Sequence, residues 1–316
     1  MTTCIHVTTT VPPYNPNAGH LYADFERFIQ SVNADKFREH HVTDDPATAD
    51  IILFVGSRSP DLRDVTSHHL VKTYREKCFV FHMGDRIIPR MPGVYTCLEK
   101  AWHNTHRTRS GHYTQIYEYE HIGDIPAFCQ YRYLFSFVGR TSTHPVRRRI
   151  IELKCDESLI RDTNSATLLP EEYANSILES KFVLCPRGLG ASSFRLFECL
   201  KAGRVPVIIA DDWVLPSGPD WNLFSVTVRE RDVQQIPRML LEIESNAADM
   251  GKQARQVYQD WFSREATYHR VAEWCLEIKN SRRIPERILR HGVTAAMLRP
   301  SYLASRLARI SRINCN

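Results

Sequence analysis

The sequence predicts an α/β fold made of two open, parallel-sheet domains. Three observations carry that expectation. Runs such as IILFV (51–55), FVLC (182–185) and VPVIIA (205–210) are apolar almost throughout, as strands buried on both faces must be. Helix-patterned stretches alternate with them in both halves of the chain, the order of a parallel sheet covered by helices. The length, 316 residues, suits about two domains.

In chain order, strands are expected at Ile5–Thr10, Ile51–Gly56, Cys78–His82, Leu134–Gly139, Phe182–Cys185, Val205–Ala210 and Phe224–Val228. Each is a short β-branched or aromatic run bounded by polar or turn residues. Helices are expected between them at His20–Val32, Asp64–Lys77, Val146–Leu153, Pro170–Ser180, Ser193–Ala202, Val233–Ile243 and Asn246–Ser281. The break between domains should fall between Tyr119 and Tyr133, where EHIGDIPAFCQYRY holds Gly123 and Pro126 and has no clean period. That gives an N-terminal domain over 1–125, a C-terminal domain over 126–280 and a tail over 281–316. The preceding AWHNTHRTRSGHYTQIYEYEH (101–121) is polar and His-rich, and reads as a long loop or exposed helix rather than core.

Charge is uneven. The tail from Ser281 carries eight Arg, Glu286 and no other acidic or Lys residue, a net +7. The remaining 33 Lys+Arg against 35 Asp+Glu leave −2 on the body. A basic chain suggests nucleic acid, but an acidic body without a recognised motif argues against it. The first residues have no basic n-region or apolar h-region, and no apolar run approaches a membrane span, so a cytoplasmic protein is expected. Nine Cys without C-x-x-C or zinc-ribbon spacing read as reduced, buried thiols.

The chemistry concentrates in KFVLCPRGLGASSFRLFECLKAGRVPVIIADDWVLP (181–216). A buried strand ends in Pro186-Arg187-Gly188-Leu189-Gly190, and Ser192 or Ser193 caps a helix whose inner face is Phe194, Phe197 and Leu200. Gly203 closes that helix, and Asp211-Asp212 follow the next strand. Backbone N–H groups and a helix N-terminus behind a glycine loop suit phosphate, and Arg187 adds a fork matched to diphosphate. The loop is neither a dinucleotide fingerprint, since Ser193 holds the third glycine position, nor a P-loop. An ordinary tight turn capped by serine is the other reading. Arg195 and Glu198, three apart on one helix face, read either as a surface ion pair or as a carboxylate for ribose hydroxyls with its neutralising partner.

The pattern C-P-R-G-x-G-x-S-S-x-R-x-x-E at Cys185–Glu198, then A-G-x-x-P-V-I-I at Ala202–Ile209 and D-D-W-x-L-P at Asp211–Pro216, resembles the nucleotide-sugar core of the exostosin-like (GT47-type) glycosyltransferases. DDPATADIILF (44–54) and FSFVGR (135–140), followed by Arg147–Arg149, extend the resemblance over roughly residues 14–275. The resemblance implies a GT-B architecture of two Rossmann-like domains facing a central cleft. It also implies inverting sugar transfer from a nucleotide-diphosphate donor, a UDP-sugar, to a glycan or lipid-linked acceptor. Carried over by position, Arg187, Gly188 and Gly190 would hold diphosphate, with Arg140 as a second phosphate ligand. Ser192 and Ser193 would cap the helix or touch phosphate, Glu198 would take the ribose, and Arg195 would orient it. Asp211 and Asp212 would either meet the donor sugar or form a solvated turn. A fucosyltransferase-like GDP-sugar enzyme and an inactive binder of anionic glycan are the competing readings.

No Asp-x-Asp occurs, so no metal is expected at the diphosphate and the leaving-group charge would rest on arginine and the helix N-terminus. His103-x-x-His106 is one conceivable metal pair, a spacing that fourteen His also produce by chance. For the base of an inverting transfer, Asp85 in HMGDRIIP is best placed, just past an expected strand end. Its other reading is a turn residue. His82, His20 and Glu99 are alternatives. In the tail, Leu303, Leu307 and Ile310 recur with helical spacing beside Arg306, Arg309 and Arg312. Residues 297–312 would thus form a packed helix or lie on an anionic membrane surface.

Overall fold

The computed structural model describes residues 2–12, 19–57, 61–85, 88–118, 122, 131–165 and 169–297. Two all-parallel sheets divide the chain. The first holds β1 (Thr3–Thr8), β2 (His40–Val42), β3 (Ile51–Val55), β4 (Cys78–His82), β5 (Gly93–Tyr95) and β6 (Thr108–Ser110), in the order β2-β1-β3-β4-β5-β6. The second holds β7 (Tyr133–Gly139), β8 (Ser158–Asp162), β9 (Ser180–Pro186), β10 (Val205–Ile209) and β11 (Val226–Thr227), in the order β11-β10-β9-β7-β8. Every residue of β3, β4 and β10 is buried, which is why those runs carry no alternation. The two parallel α/β layers form the GT-B arrangement expected from the sequence.

Four strands escape the sequence pattern for a physical reason. β2, β5 and β6 span three residues each, too few to show a period, and β8 is an edge strand with no fully buried residue. Residues 103–116 correct the expectation of a loop. They contain β6 and bury Arg107, Thr108, Ser110, His112, Tyr113, Thr114 and Ile116. Much of their polarity is paired in the interior: the Thr96 hydroxyl donates to His112 O at 3.0 Å, Thr108 Oγ1 accepts from Asn104 N at 2.9 Å, and His112 Nε2 meets Thr267 Oγ1 at 2.8 Å.

Burial pushes His112 down to about 3 and His82 down to about 4. The unfolded chain takes up these protons near pH 6.5 while the fold excludes them, so stability falls as pH drops below that value. In His112→Gln the melting temperature should depend less steeply on pH between 6.5 and 4 than in the parent.

The segment expected as one helix over Asp64–Lys77 is α2 (Arg63–Ser67), α3 (His69–Thr73) and a 3-10 turn at Arg75–Lys77. His68 is extended between them and its ring accepts the Leu70 N–H. Thr66 and Ser67 return their hydroxyls to backbone oxygens three residues back, competing with helix continuation. In the second domain α4 (Pro145–Ile151), α5 (Pro170–Leu178), α6 (Phe194–Lys201) and α7 (Ile236–Glu242) flank the sheet.

Residues 246–281 are likewise broken, into α8 (Ala247–Val257), a π turn at Tyr258–Phe262 and α9 (Arg264–Ser281). Ser263 is extended at the joint. The break lets α8 pack on β9 and β10 while α9 crosses back to β5, β6 and α1 (Gly19–Asn33). One apolar core therefore runs through both domains, from Phe28, Phe81 and Val94 through Trp274 to Phe197, Phe262 and Trp221.

The start of the tail is packed too. Arg282 lies over the Phe79 ring, 4.8 Å from its centroid, and donates to Glu76 O at 3.0 Å. In α10 (Glu286–Met297), the Glu286 carboxylate receives Arg107 Nη2 at 2.7 Å and Nε at 3.1 Å, both side chains being almost fully buried. Arg107→Ala strands that carboxylate without its main partner and should cost about 3–5 kcal/mol in denaturant unfolding, largely recovered by Arg107→Met with Glu286→Leu. The membrane-or-packed segment 297–312 lies, beyond Met297, outside the described residues. No helix among the described residues is long and apolar enough to cross a membrane.

Candidate active site

The carboxyl ends of both sheets meet at one seam. After β5, the chain from Thr96 to Lys100 clasps the chain after β10. Glu99 and Trp213 form an antiparallel bridge, Lys100 N donates to Asp212 O at 2.7 Å and Val214 N to Leu98 O at 2.9 Å. Trp213 Nε1 donates to Thr96 O at 3.0 Å, and Lys100 Nζ to Asp211 O at 2.7 Å. The D-D-W segment is thus a joint between domains. Asp211's carboxylate accepts the Glu230 N–H at 2.9 Å, and Asp212 Oδ2 stands 3.6 Å from Arg187 Nη1.

The glycine loop follows β9 as the sequence predicts. Arg187 N donates to Ile209 O, and Gly188 N to Gly190 O. Beneath it lies Arg147 of α4, whose Nε donates to Arg187 O at 2.9 Å, Nη2 to Pro186 O at 3.1 Å and Nη1 to Arg140 O at 3.2 Å. A Cβ on Gly188 would come within 3.1 Å of that guanidinium. Burial lowers Arg147 to about 10, with Arg195 adding to the effect, so it remains a cation at neutral pH. Arg187 is itself buried. Its Nη2 reaches Glu99 Oε1 at 3.2 Å across the seam, while its Nε is buried with no hydrogen-bond partner. Arg140 is exposed at the end of β7.

Behind the loop, α6 is not amphipathic in the manner expected. Arg195 through Leu200 are all buried, and Phe194, read as part of the inner face, leans outward and stacks on Tyr113 of the first domain at 3.8 Å between centroids. Ser193 occupies the N-cap position without a side-chain capping bond, and Ser192 Oγ is buried with no partner. Glu198 does not form the surface ion pair. Its Oε2 accepts the Tyr173 hydroxyl of α5 at 2.6 Å, and burial raises its pKa while Tyr173 and Arg195 oppose the rise. Arg195 donates to Val138 O and lies over the rings of Phe137 and Tyr173, at 5.0 and 5.7 Å, with Nη1 buried and unpartnered.

Asp85 follows β4, exposed, and faces this loop. A Cβ on Gly190 would come within 2.9 Å of Asp85 Oδ1 and would also meet Cys97 Sγ. Cys97 lies 3.8 Å from Asp85 Oδ1 and 3.0 Å from the Tyr113 hydroxyl, and burial pushes its thiol up to about 12, which removes it as a nucleophile. His82 is buried and neutral behind this position. His20 opens α1. His103 and His106 are exposed, and neither is in a metal-ligating group among the described residues.

The structure therefore brings Asp85, Arg187, Gly188, Gly190, Ser192, Arg195 and Glu198 into one seam. It adds Arg147 beneath the loop, Tyr173 on Glu198, and Glu99 on Arg187. Arg147 was visible in sequence only as one of three consecutive arginines, and Tyr173 carried no signal at all. Around the loop lie three buried guanidiniums and the buried carboxylate of Glu198, with the more exposed Glu99 and Asp212 against Arg187.

Two parallel α/β domains, a glycine loop ending in a helix N-terminus and a seam between carboxyl strand ends define a GT-B protein. Residues 60–243, more than half of the chain, match the Exostosin GT47 domain, and the chain belongs to this glycosyltransferase family. It is similar to the Exostosin-1 homolog of Caenorhabditis elegans, 40% identical over 90 residues, which are 28% of this chain and 24% of that protein. It is also similar to Exostosin-1a of Danio rerio, 29% identical over 140 residues, 43% of this chain and 18% of that protein. These matches span less than a quarter of either relative's length. Among solved structures, Anabaena Alr3699/HepE in complex with UDP is similar with a TM-score of 0.43 at 7% identity, covering 86% of this chain and 98% of that one.

Proposed function

We propose that the chain transfers a sugar from a nucleotide-diphosphate donor, a UDP-sugar, to a glycan or lipid-linked acceptor, with inversion and without a metal at the diphosphate. The observation that carries this is the buried cluster of Arg147, Arg187 and Arg195 around the loop 186–190, with Glu198 as its buried carboxylate and the more exposed Glu99 and Asp212 touching only Arg187. The diphosphate sits on Arg187 and the loop N–H groups, with Arg147 beneath them supplying fixed positive charge. Glu198, held by Tyr173, accepts the ribose hydroxyls. Asp85 takes the proton from the acceptor hydroxyl, which attacks the anomeric carbon from the face opposite the departing nucleotide. Charge growing on the leaving diphosphate is met by arginines already in place, so no reorganisation is needed during the reaction.

A thermal-shift panel of UDP, GDP, CMP and ADP tests the donor. UDP alone should raise the melting temperature, and the rise should vanish in Arg187→Ala and Glu198→Ala. A shift with GDP only would transfer the reading to a GDP-sugar. No shift with any nucleotide would remove the enzymatic reading.

A further inference from the structure

We propose that His40, His269 and Glu273 form a divalent-metal site, suited to Zn²⁺, that fastens the edge strand β2 to the returning helix α9. One ligand atom from each of the three lies within 4.8 Å of the others. His269 and Glu273 are four apart on α9, hence on one face, and His40 is the first residue of β2. Both imidazoles are buried, 7% and 5% exposed.

Their nitrogens lack the partners that buried imidazoles normally have. His40 Nδ1 and Nε2 and His269 Nδ1 are buried without a hydrogen bond. His40 Nε2 is 2.9 Å from Glu273 Oε1, yet the pair lacks the alignment of a hydrogen bond. A zinc ion bound tetrahedrally at about 2.0–2.2 Å by a nitrogen and an oxygen places those two atoms about 3.3–3.5 Å apart. The half-exposed Glu273 side chain therefore shifts outward by about half an ångström to admit the ion. Two imidazoles and one carboxylate are ligands for a borderline cation rather than for Ca²⁺ or Mg²⁺, and the half-exposed Glu273 side leaves room for a water as the fourth ligand.

The surroundings hold the ligands in place. Phe37 stacks on the His269 ring at 4.1 Å, and Tyr268 meets the His40 ring edge-on. Arg270 is the nearby cation, but its guanidinium lies over the Trp261 and Phe37 rings and its Nε is committed to Asp260 O. His40 pairs in register with Thr3 at the start of β1, so the site lies at the amino end of the strands, opposite the seam. It is independent of the proposed transfer and of whether that needs a metal.

The test uses the full chain, stripped with chelator and then incubated with excess ZnSO₄ and desalted. Elemental analysis should find about one zinc per chain, and Co²⁺ in its place should give the visible bands of a histidine-ligated site. Zinc should raise the melting temperature of the parent and leave that of Glu273→Gln and His269→Ala nearly unmoved. Glu273→Gln, altered at a half-exposed position, keeps the test open if either histidine variant fails to fold. Substoichiometric zinc after desalting, or equal retention by parent and Glu273→Gln, would overturn the proposal and leave a plain His40–Glu273 ion pair.

Discussion

Asp85→Asn should lower turnover of the donor sugar about 10²–10⁴-fold, the span a positioned general base contributes. The argument is one of placement. Asp85 stands in the first domain just past β4, on the side from which an acceptor would approach, and it borders the loop that would carry the leaving group. The amide keeps the shape and one acceptor oxygen but cannot accept the proton. UDP affinity measured by thermal shift should therefore stay as in the parent while kcat falls and its pH profile loses the acidic limb. If Asp85→Asn retains near-parental turnover, the base is another group, and Glu99, which already touches Arg187, is the next to replace.

Arg187→Ala should lower kcat/KM about 10²–10³-fold, the loss typical of removing one preorganised donor from a developing oxyanion. Arg187→Lys should recover only part of it, because an ammonium keeps the charge and loses the planar fork. The readout that separates charge stabilisation from stability is the melting temperature without nucleotide. Arg187 is held by Glu99 and Asp212, both at least partly exposed, so its removal should move the unliganded melting temperature little. A large unliganded loss with normal kcat/KM would make Arg187 a structural residue.

The parts of this molecule that were legible in sequence share one property: they announce themselves within a few neighbouring residues. β4 was readable to its ends, since the apolar run CFVF follows Lys77 and closes on His82 ahead of Gly84, and the loop from Pro186 to Gly190 was readable from its glycines and its position between strand and helix. What was not legible depends on distant pairing. Residues 103–116 look solvated because they are polar, yet their partners Thr96 and Thr267 lie elsewhere in the chain. Trp213 sits in a motif read for its acids, and its indole instead joins the domains. Glu198 and Arg195 suggested each other by spacing, whereas the fold gives Glu198 to Tyr173 and Arg195 to Val138.

The crossing of α9 has a consequence for how the chain is made. Synthesis delivers β1 to β6 first, but the face that holds Phe28, Phe81 and Val94 is closed by Trp274, Cys275 and Ile278, and Arg107 waits for Glu286. The first sheet to leave the ribosome therefore stays uncovered, with an apolar face and a buried-site arginine open to water, until the whole second sheet and α8 have followed. Domains that fold independently tolerate being cut apart between them. Here a chain ending after β11 would keep every strand of both sheets and still leave the first one unfinished and prone to associate with its neighbours.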